Sequence, residues 1–363
     1  MRTLRRNRNA LAGQGGAPAL VVRVFRERPG REEIEFLGGS ARTPLLLPRP
    51  PSTPLLFPMT EHRPDQLGDL TIEMLPAGER THAMTVDVED WFHNNFRSAP
   101  KLDPQDLPRR VEEGVDRLLE FLASMRARAT FFVLGAVASD HPTLVSRIVH
   151  AGHEVGCHGM HHDLVYGQSA ETFEREMSHA RELLRDQSGQ PVYGFRAPSW
   201  SITRRSLWAL DLLARIGFRY DSSVFPAANY LYGINRAPTS PYRVTTPSGR
   251  TLIEVPPPIL ALGPIRIGVG GGLFLRALPL WLQRRAMRNY ARRSAAFITY
   301  LHPRDFDPDS HHLRLPLSTL EQLVHRFGIR SVPRKLEALM RGEEWTSIAE
   351  LLERMIPLAE ATP

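Results

Sequence analysis

Beyond residue 82 the chain alternates between short apolar strands and amphipathic helices, and polar residues stand where the strands end. That alternation specifies a parallel sheet covered by helices. Met84, Val86 and Val88 alternate with Thr85, Asp87 and Glu89, a strand with one acidic face. Val111, Val115, Leu118, Leu119 and Leu122 follow at helical spacing, and residues 129–133 read as a buried strand. A helix starting near Pro142 carries Leu144, Val145, Ile148 and Val149. A strand around 153–157 leads into a helix with Phe173, Met177, Ala180 and Leu184 on one face. Strands at 192–195, just before Asp221, at 252–255 and at 296–301, with a helix over 206–216, complete the run. The fold class expected is α/β, a parallel (β/α) barrel whose strand ends form the face that carries chemistry.

The 363 residues, 42% hydrophobic and 23% charged, suffice for one such barrel. Net charge is +7, yet all basic residues but Lys101 and Lys335 are arginine. This bias reflects base composition more than a nucleic-acid surface, so no nucleic-acid partner is expected. The single cysteine, Cys157, excludes an internal disulfide. Arg2, Arg5, Arg6 and Arg8 are followed by no apolar run of signal-peptide or spanning length, so the expected location is cytoplasmic. Residues 1–80 are rich in Pro, Gly and Arg with little periodicity. They read as a disordered extension, or as a start codon called too early, with Met59, Met74 or Met84 downstream.

Four polar clusters stand at strand ends. In Asp87-Val88-Glu89-Asp90, strand alternation turns Val86 and Val88 toward the helices and points Asp87 and Glu89 into the barrel mouth. Two carboxylates held there suit a metal ion and a proton acceptor. His158 and His162 are four apart, a spacing that lets both imidazoles reach one metal if the chain coils into a helical turn. His161 reads as a bystander and Cys157 as core packing. Next comes Gly194-Phe195-Arg196-Ala197-Pro198-Ser199-Trp200, where Arg196 orients a carboxylate and Trp200 walls a sugar cleft, or both are structural. Tyr300-Leu301-His302-Pro303 delivers a histidine at a strand end. Asp221 either orients His302 or caps a turn.

Taken in order, these motifs resemble the NodB-type polysaccharide deacetylases, carbohydrate esterase family four. Residues 85–92, Phe195–Trp200, Tyr220–Ser223, Gly270–Phe274 and Tyr300–Pro303 look most like the subgroup accompanying exosortase (PEP-CTERM) exopolysaccharide systems. The resemblance implies a distorted NodB-type barrel over residues 81–350 with a family-specific insertion at 258–293. It also implies a metal-dependent hydrolase that removes N-acetyl groups from amino sugars of a polysaccharide, in exopolysaccharide biosynthesis. Asp87 becomes the catalytic base, His158 and His162 metal ligands, Arg196 the group that positions Asp87, and His302 the general acid tuned by Asp221. The common family motif has two adjacent aspartates, whereas Val88 follows Asp87 here. The third ligand is therefore Glu89 or Asp90, and alternation favours Glu89.

Two histidines and a carboxylate leave an open metal position, as in catalytic sites. Zinc is the first choice, and iron or cobalt would also suit the set. A backbone N–H near Ser199 would stabilise an oxyanion. Gly268–Gly272 lies outside a strand–helix Rossmann unit and is not a phosphate loop. Leu278 to Tyr290, with Arg284, Arg285 and Arg288, is a helix packed on the barrel or a contact with a membrane or lipid-linked glycan. The partner expected is an N-acetylated glycan. The competing functions are an allantoinase-like small-amide hydrolase and an inactive carbohydrate-binding module.

Overall fold

The computed structural model describes residues 67–76, 82–98, 106–263, 265–293 and 295–356, with the backbone of 21–26 and 32–37. The chain divides into two units, Met1–Thr60 and Glu61–Pro363. In the first, β1 (Val21–Arg26) pairs antiparallel with β2 (Glu32–Leu37). Of the extension read over 1–80, these two strands and residues 67–76 are described. Val22, Val24, Ile34 and Phe36 are strand formers, and the register sets Arg23 opposite Glu35 and Arg26 opposite Glu32. Most of the rest of that extension lies outside the described residues.

The second unit holds a ten-stranded sheet. Its strands are β3 (Thr71–Met74), β4 (His82–Val88), β5 (Thr130–Val133), β6 (Glu154–Cys157), β7 (Gly194–Phe195), β8 (Tyr220–Asp221), β9 (Tyr242–Thr245) and β10 (Thr251–Glu254). A separate hairpin, β11 (Ile259–Leu262) and β12 (Ile265–Gly268), precedes β13 (Ile298–Leu301) and β14 (Trp345–Thr346). Neighbours run in the order β13-β4-β5-β6-β7-β8-β10-β9-β3, with β14 paired to β4. All pairings from β13 through β10 are parallel. That is the α/β arrangement expected, and its ladder runs as a path rather than a ring among the described residues. The pairings of β9 with β10 and with β3 are antiparallel. The sheet thus recruits residues before 80, where the sequence placed the domain boundary. Thr71–Met74 escaped notice because four residues with little burial carry no clear period.

Ten helices among the described residues surround or extend the sheet. They are α1 (Val111–Ser124), α2 (Gly135–Asp140), α3 (Leu144–His150), α4 (Ala170–Ser188), α5 (Trp208–Ile216), α6 (Gly272–Ala277), α7 (Leu280–Arg292), α8 (Thr319–Arg326), α9 (Val332–Met340) and α10 (Ile348–Met355). The apolar face of α4 buries Phe173, Met177, Ala180 and Leu184. Ser169 caps its start by accepting the Thr172 N–H, and Gly189 at φ 66° ends it. Phe173, Met177 and Leu184 each contribute roughly 1.5–3 kcal/mol by this burial. No described helix is long and apolar enough to cross a membrane.

The basic stretch after residue 278 is α7, which buries Gln283, Ala286, Met287 and Tyr290 and leaves Arg284, Arg285, Arg288 and Arg292 outside. Its buried face packs on the fold, as one of the two readings had it. The glycines before α6 serve close approach rather than phosphate binding. Gly271 bridges Tyr300 of β13, and a Cβ there would lie 2.2 Å from the Tyr300 carbonyl oxygen.

Candidate active site

Parallel strands deliver the polar residues to one end of the sheet. Asp87 is the penultimate residue of β4, His158 follows β6, Arg196 follows β7 and His302 follows β13. Asp87, Glu89, His158, His162, Trp200 and His302 line one pocket of about 180 Å³.

Arg196 has no solvent exposure and cannot shed its charge, so its position demands partners. Its Nη1 donates to Asp87 Oδ1 at 2.8 Å and to Thr85 Oγ1 at 2.7 Å. Nη2 donates to Ser222 Oγ at 2.9 Å and Nε to the Ser222 carbonyl at 3.3 Å. The guanidinium also stacks over Phe132, 4.4 Å from the ring centre. Asp87 is thereby fixed through one oxygen while its carboxylate still borders the pocket.

Glu89, His158 and His162 bring one ligand atom each within 4.8 Å of one another. Glu89 Oε2 lies 2.7 Å from His162 Nε2 and 3.7 Å from His158 Nε2. The donor set fits a metal. His158 Nδ1 is 2.8 Å from the Arg196 carbonyl, which can only accept, so Nδ1 carries the proton and Nε2 keeps a free lone pair. Burial opposes ionisation of Glu89, but the two imidazoles packed against it hold its carboxyl well below the usual range. The histidines do not sit on a helical turn, which corrects that expectation. Gly159 at φ 89° and His162 at φ 63° make a sharp bend, and the bend turns both rings inward.

Asp90 is directed elsewhere. Its Oδ1 accepts the Trp91 N–H, and its Oδ2 accepts those of Arg110 and Val111 at the start of α1. Free N–H groups at a helix start require such an acceptor. Of the two candidates for third ligand, the structure brings Glu89 to the histidines and takes Asp90 to the helix.

The assignment of Asp221 as partner of His302 is corrected. Asp305 is the carboxylate beside it, with Oδ2 accepting the His302 N–H at 3.0 Å and lying 3.5 Å from Nδ1. Burial works against a charged His302, but Asp305 together with Glu89 and Asp87 outweighs it and raises the imidazole pKa. Asp221 instead hydrogen-bonds Glu254 at the neighbouring end of β10, with no solvent exposure for either. Ser223 Oγ donates to Asp221, and the Val224 N–H donates to Glu254 at 2.9 Å. Burial pushes Asp221 up to about 6 and Glu254 well above its ordinary range, so the pair shares a proton.

The polysaccharide deacetylase family matches residues 69–220. This part of the chain belongs to that family. A domain of unknown function (DUF3473) matches residues 222–353. Peptidoglycan deacetylase of Helicobacter pylori is 32% identical over 124 residues, covering 33% of this chain and 41% of that protein. Chitooligosaccharide deacetylase of Rhizobium leguminosarum bv. trifolii is 35% identical over 99 residues, 27% of this chain and 43% of that one. The chain thus spans about two-fifths of the length of these relatives. A crystal structure assigned as a polysaccharide deacetylase from Mycobacterium smegmatis superposes on 78% of this chain and 95% of its own, with a TM-score of 0.52 and 22% identity. The two share a fold.

Several residues of the pocket escaped the sequence reading. The Asn95 amide lies 3.2 Å from His162 Nδ1 and 3.1 Å from Ser199 Oγ, bracing that imidazole. Ser199 and Trp200 both adopt left-handed backbone, at φ 51° and 47°. That strain costs about 1 kcal/mol or more per residue. It is offset where Trp200 packs edge-on against Tyr300, Phe225 and Tyr232. Arg276, Arg304 and His325 also line the pocket. A His-Pro-Arg-Asp run, with an acid three residues after a strand-end histidine, was the available signal for Asp305.

Proposed function

We propose that the protein hydrolyses N-acetyl groups of amino sugars in a polysaccharide, with a divalent metal, zinc first, held by Glu89, His158 and His162. The observation that carries this reading is one pocket containing that ligand trio beside an arginine-fixed carboxylate and a histidine at the neighbouring strand end. When bound, the ion supplies Lewis acidity, polarising an acetamide carbonyl and acidifying water.

The protein groups divide the proton work. Asp87, anchored through Oδ1 by Arg196, accepts the proton of the attacking water. His302, kept positive by Asp305, donates a proton to the departing amine as the C–N bond breaks, giving acetate and a free amino sugar. The Ser199 N–H makes no hydrogen bond among the described residues and is offered to the oxyanion. Trp200 presents a wall for the sugar ring. The likeness of Gly270–Phe274 and Tyr300–Pro303 to the exosortase-associated subgroup supports a role in exopolysaccharide maturation.

Acetate release is the test, measured on chito-oligosaccharides and on the host's own exopolysaccharide, before and after chelation. Release that disappears with chelator and returns with zinc is expected. Undiminished release from metal-stripped protein would sink the metal-dependent reading, and release from neither glycan would sink the deacetylase reading.

A further inference from the structure

Arg276 of α6 and Arg304 after β13 line the pocket that holds Asp87, Glu89 and His302. Neither forms an ion pair with a carboxylate among the described residues. Arg276 Nη1 donates to the His325 carbonyl at 3.0 Å, and Arg304 Nη2 donates to the same oxygen at 3.1 Å. Two guanidiniums are thus drawn together on one acceptor. Arg304 Nη1 also meets the His325 ring, while Arg304 Nε is buried with no partner.

Like charges so placed repel, and burial compounds the cost. Burial lowers the pKa of both, and the charge of Arg276 helps bring Arg304 down to about 10. The nearby carboxylates are engaged elsewhere, Asp305 by His302 and Glu89 by the two ligand histidines. A divalent ion at the Glu89 trio would add further positive charge. Hydroxyls and acetamides of a neutral glycan cannot offset that field, whereas a planar oxyanion matches the guanidinium fork.

We propose that Arg276 and Arg304 form a clamp for an anionic substituent, a carboxylate or phosphate, on the N-acetylated glycan that enters the pocket. The proposal rests on the deacetylase reading and narrows its substrate class to charged glycans.

The test compares three matched substrates with the purified full chain: a neutral chito-oligosaccharide, the same oligomer with one uronate unit, and the same oligomer with a 1-phosphate. At least one charged substrate should exceed the neutral one by about tenfold in kcat/KM, mainly through KM, and the advantage should shrink with salt. The uronate and phosphate arms show which anion is read. Arg276→Gln and Arg304→Gln should each erase most of that preference, and Arg276→Lys should keep part of it. Equal kcat/KM for all three substrates overturns the clamp, as does a preference that survives both glutamine variants. Arginine-dependent inhibition by acetate with no gain from either charged glycan also overturns it, assigning the pair to product. Should the glutamine variants not fold, the lysine variant and the salt dependence of the wild type decide. Should no glycan be deacetylated, the functional reading fails, and calorimetric binding of glucuronate and of N-acetylglucosamine 1-phosphate tests the clamp separately. Saturable binding weakened in Arg276→Lys supports it, and no binding overturns it.

Discussion

Arg196 Nη1 stands 2.8 Å from Asp87 Oδ1, with both side chains almost wholly out of solvent. The pair fixes one carboxylate oxygen and leaves the acid without freedom to rotate away from the pocket. Asp87→Asn should keep the metal and lose about 10²–10⁴ in turnover, and His302→Ala should lose a similar factor. Arg196→Met should unfold more easily by about 3–5 kcal/mol, because it leaves a buried carboxylate unpaired. Metal content, turnover and denaturant midpoints for the three variants check this. Near-normal turnover in both Asp87→Asn and His302→Ala refutes the assigned proton transfers.

Glu89 and Asp90 are adjacent but should fail differently. Glu89→Ala is expected to lose metal affinity, with activity partly restored at high metal concentration. Asp90→Ala should hold its metal and lose about 0.5–2 kcal/mol of stability, the cost of an unaccepted helix start. Metal analysis beside thermal unfolding separates the two, and metal loss from Asp90→Ala alone would reverse the ligand choice.

Asn95 braces His162 through its side-chain amide. Removing its amide in Asn95→Ala should weaken metal affinity by about 10–100-fold. Competition with a chelator of known affinity measures it, and unchanged affinity would assign Asn95 to packing alone.

The Asp221–Glu254 pair predicts a pH dependence of folding. Asp221 titrates near 6 in the fold against an ordinary 3.8, so between those values the folded chain binds more protons than the unfolded one. Stability linked to the Asp221 proton is therefore present at low pH and falls as pH rises through about 6, while Glu254, pushed well above its ordinary range, keeps the shared proton. Glu254→Gln keeps a donor for Asp221 and removes one charge. It should be more stable than the wild type at pH 8, by about 1–3 kcal/mol, and closer to it at pH 5. Urea unfolding at both values is the measurement, and a variant less stable at pH 8 contradicts a shared proton.

Much of this site was legible before any coordinates, because strand and helix periods locate strand ends and the end residues are chemically distinctive. Asp87, Glu89, His158, His162, Arg196 and His302 all reach the region so identified. What spacing could not give was the direction of a side chain at a two-residue strand. Asp221 ends β8, yet its carboxylate meets Glu254 of β10 instead of His302. Strands β3 and β9 pair across more than 160 residues of chain, which no local period records. Arg276 and Arg304 were hidden by the abundance of arginine in this chain.

The boundary between the two matched segments, at residues 220 and 222, runs through the pocket itself. Asp87, the metal trio and Arg196 come before it, whereas His302, Asp305 and both clamp arginines come after it. On the proposed function, the proton acceptor and metal site lie in one matched segment, and the proton donor and anion clamp in the other. On that reading, drift in residues 222–353 at Arg276 and Arg304 would change the charge preference while leaving the proposed proton acceptor and metal ligands in place. Its freedom is limited by two ties: the later segment must still deliver His302 and still receive Arg196 at Ser222.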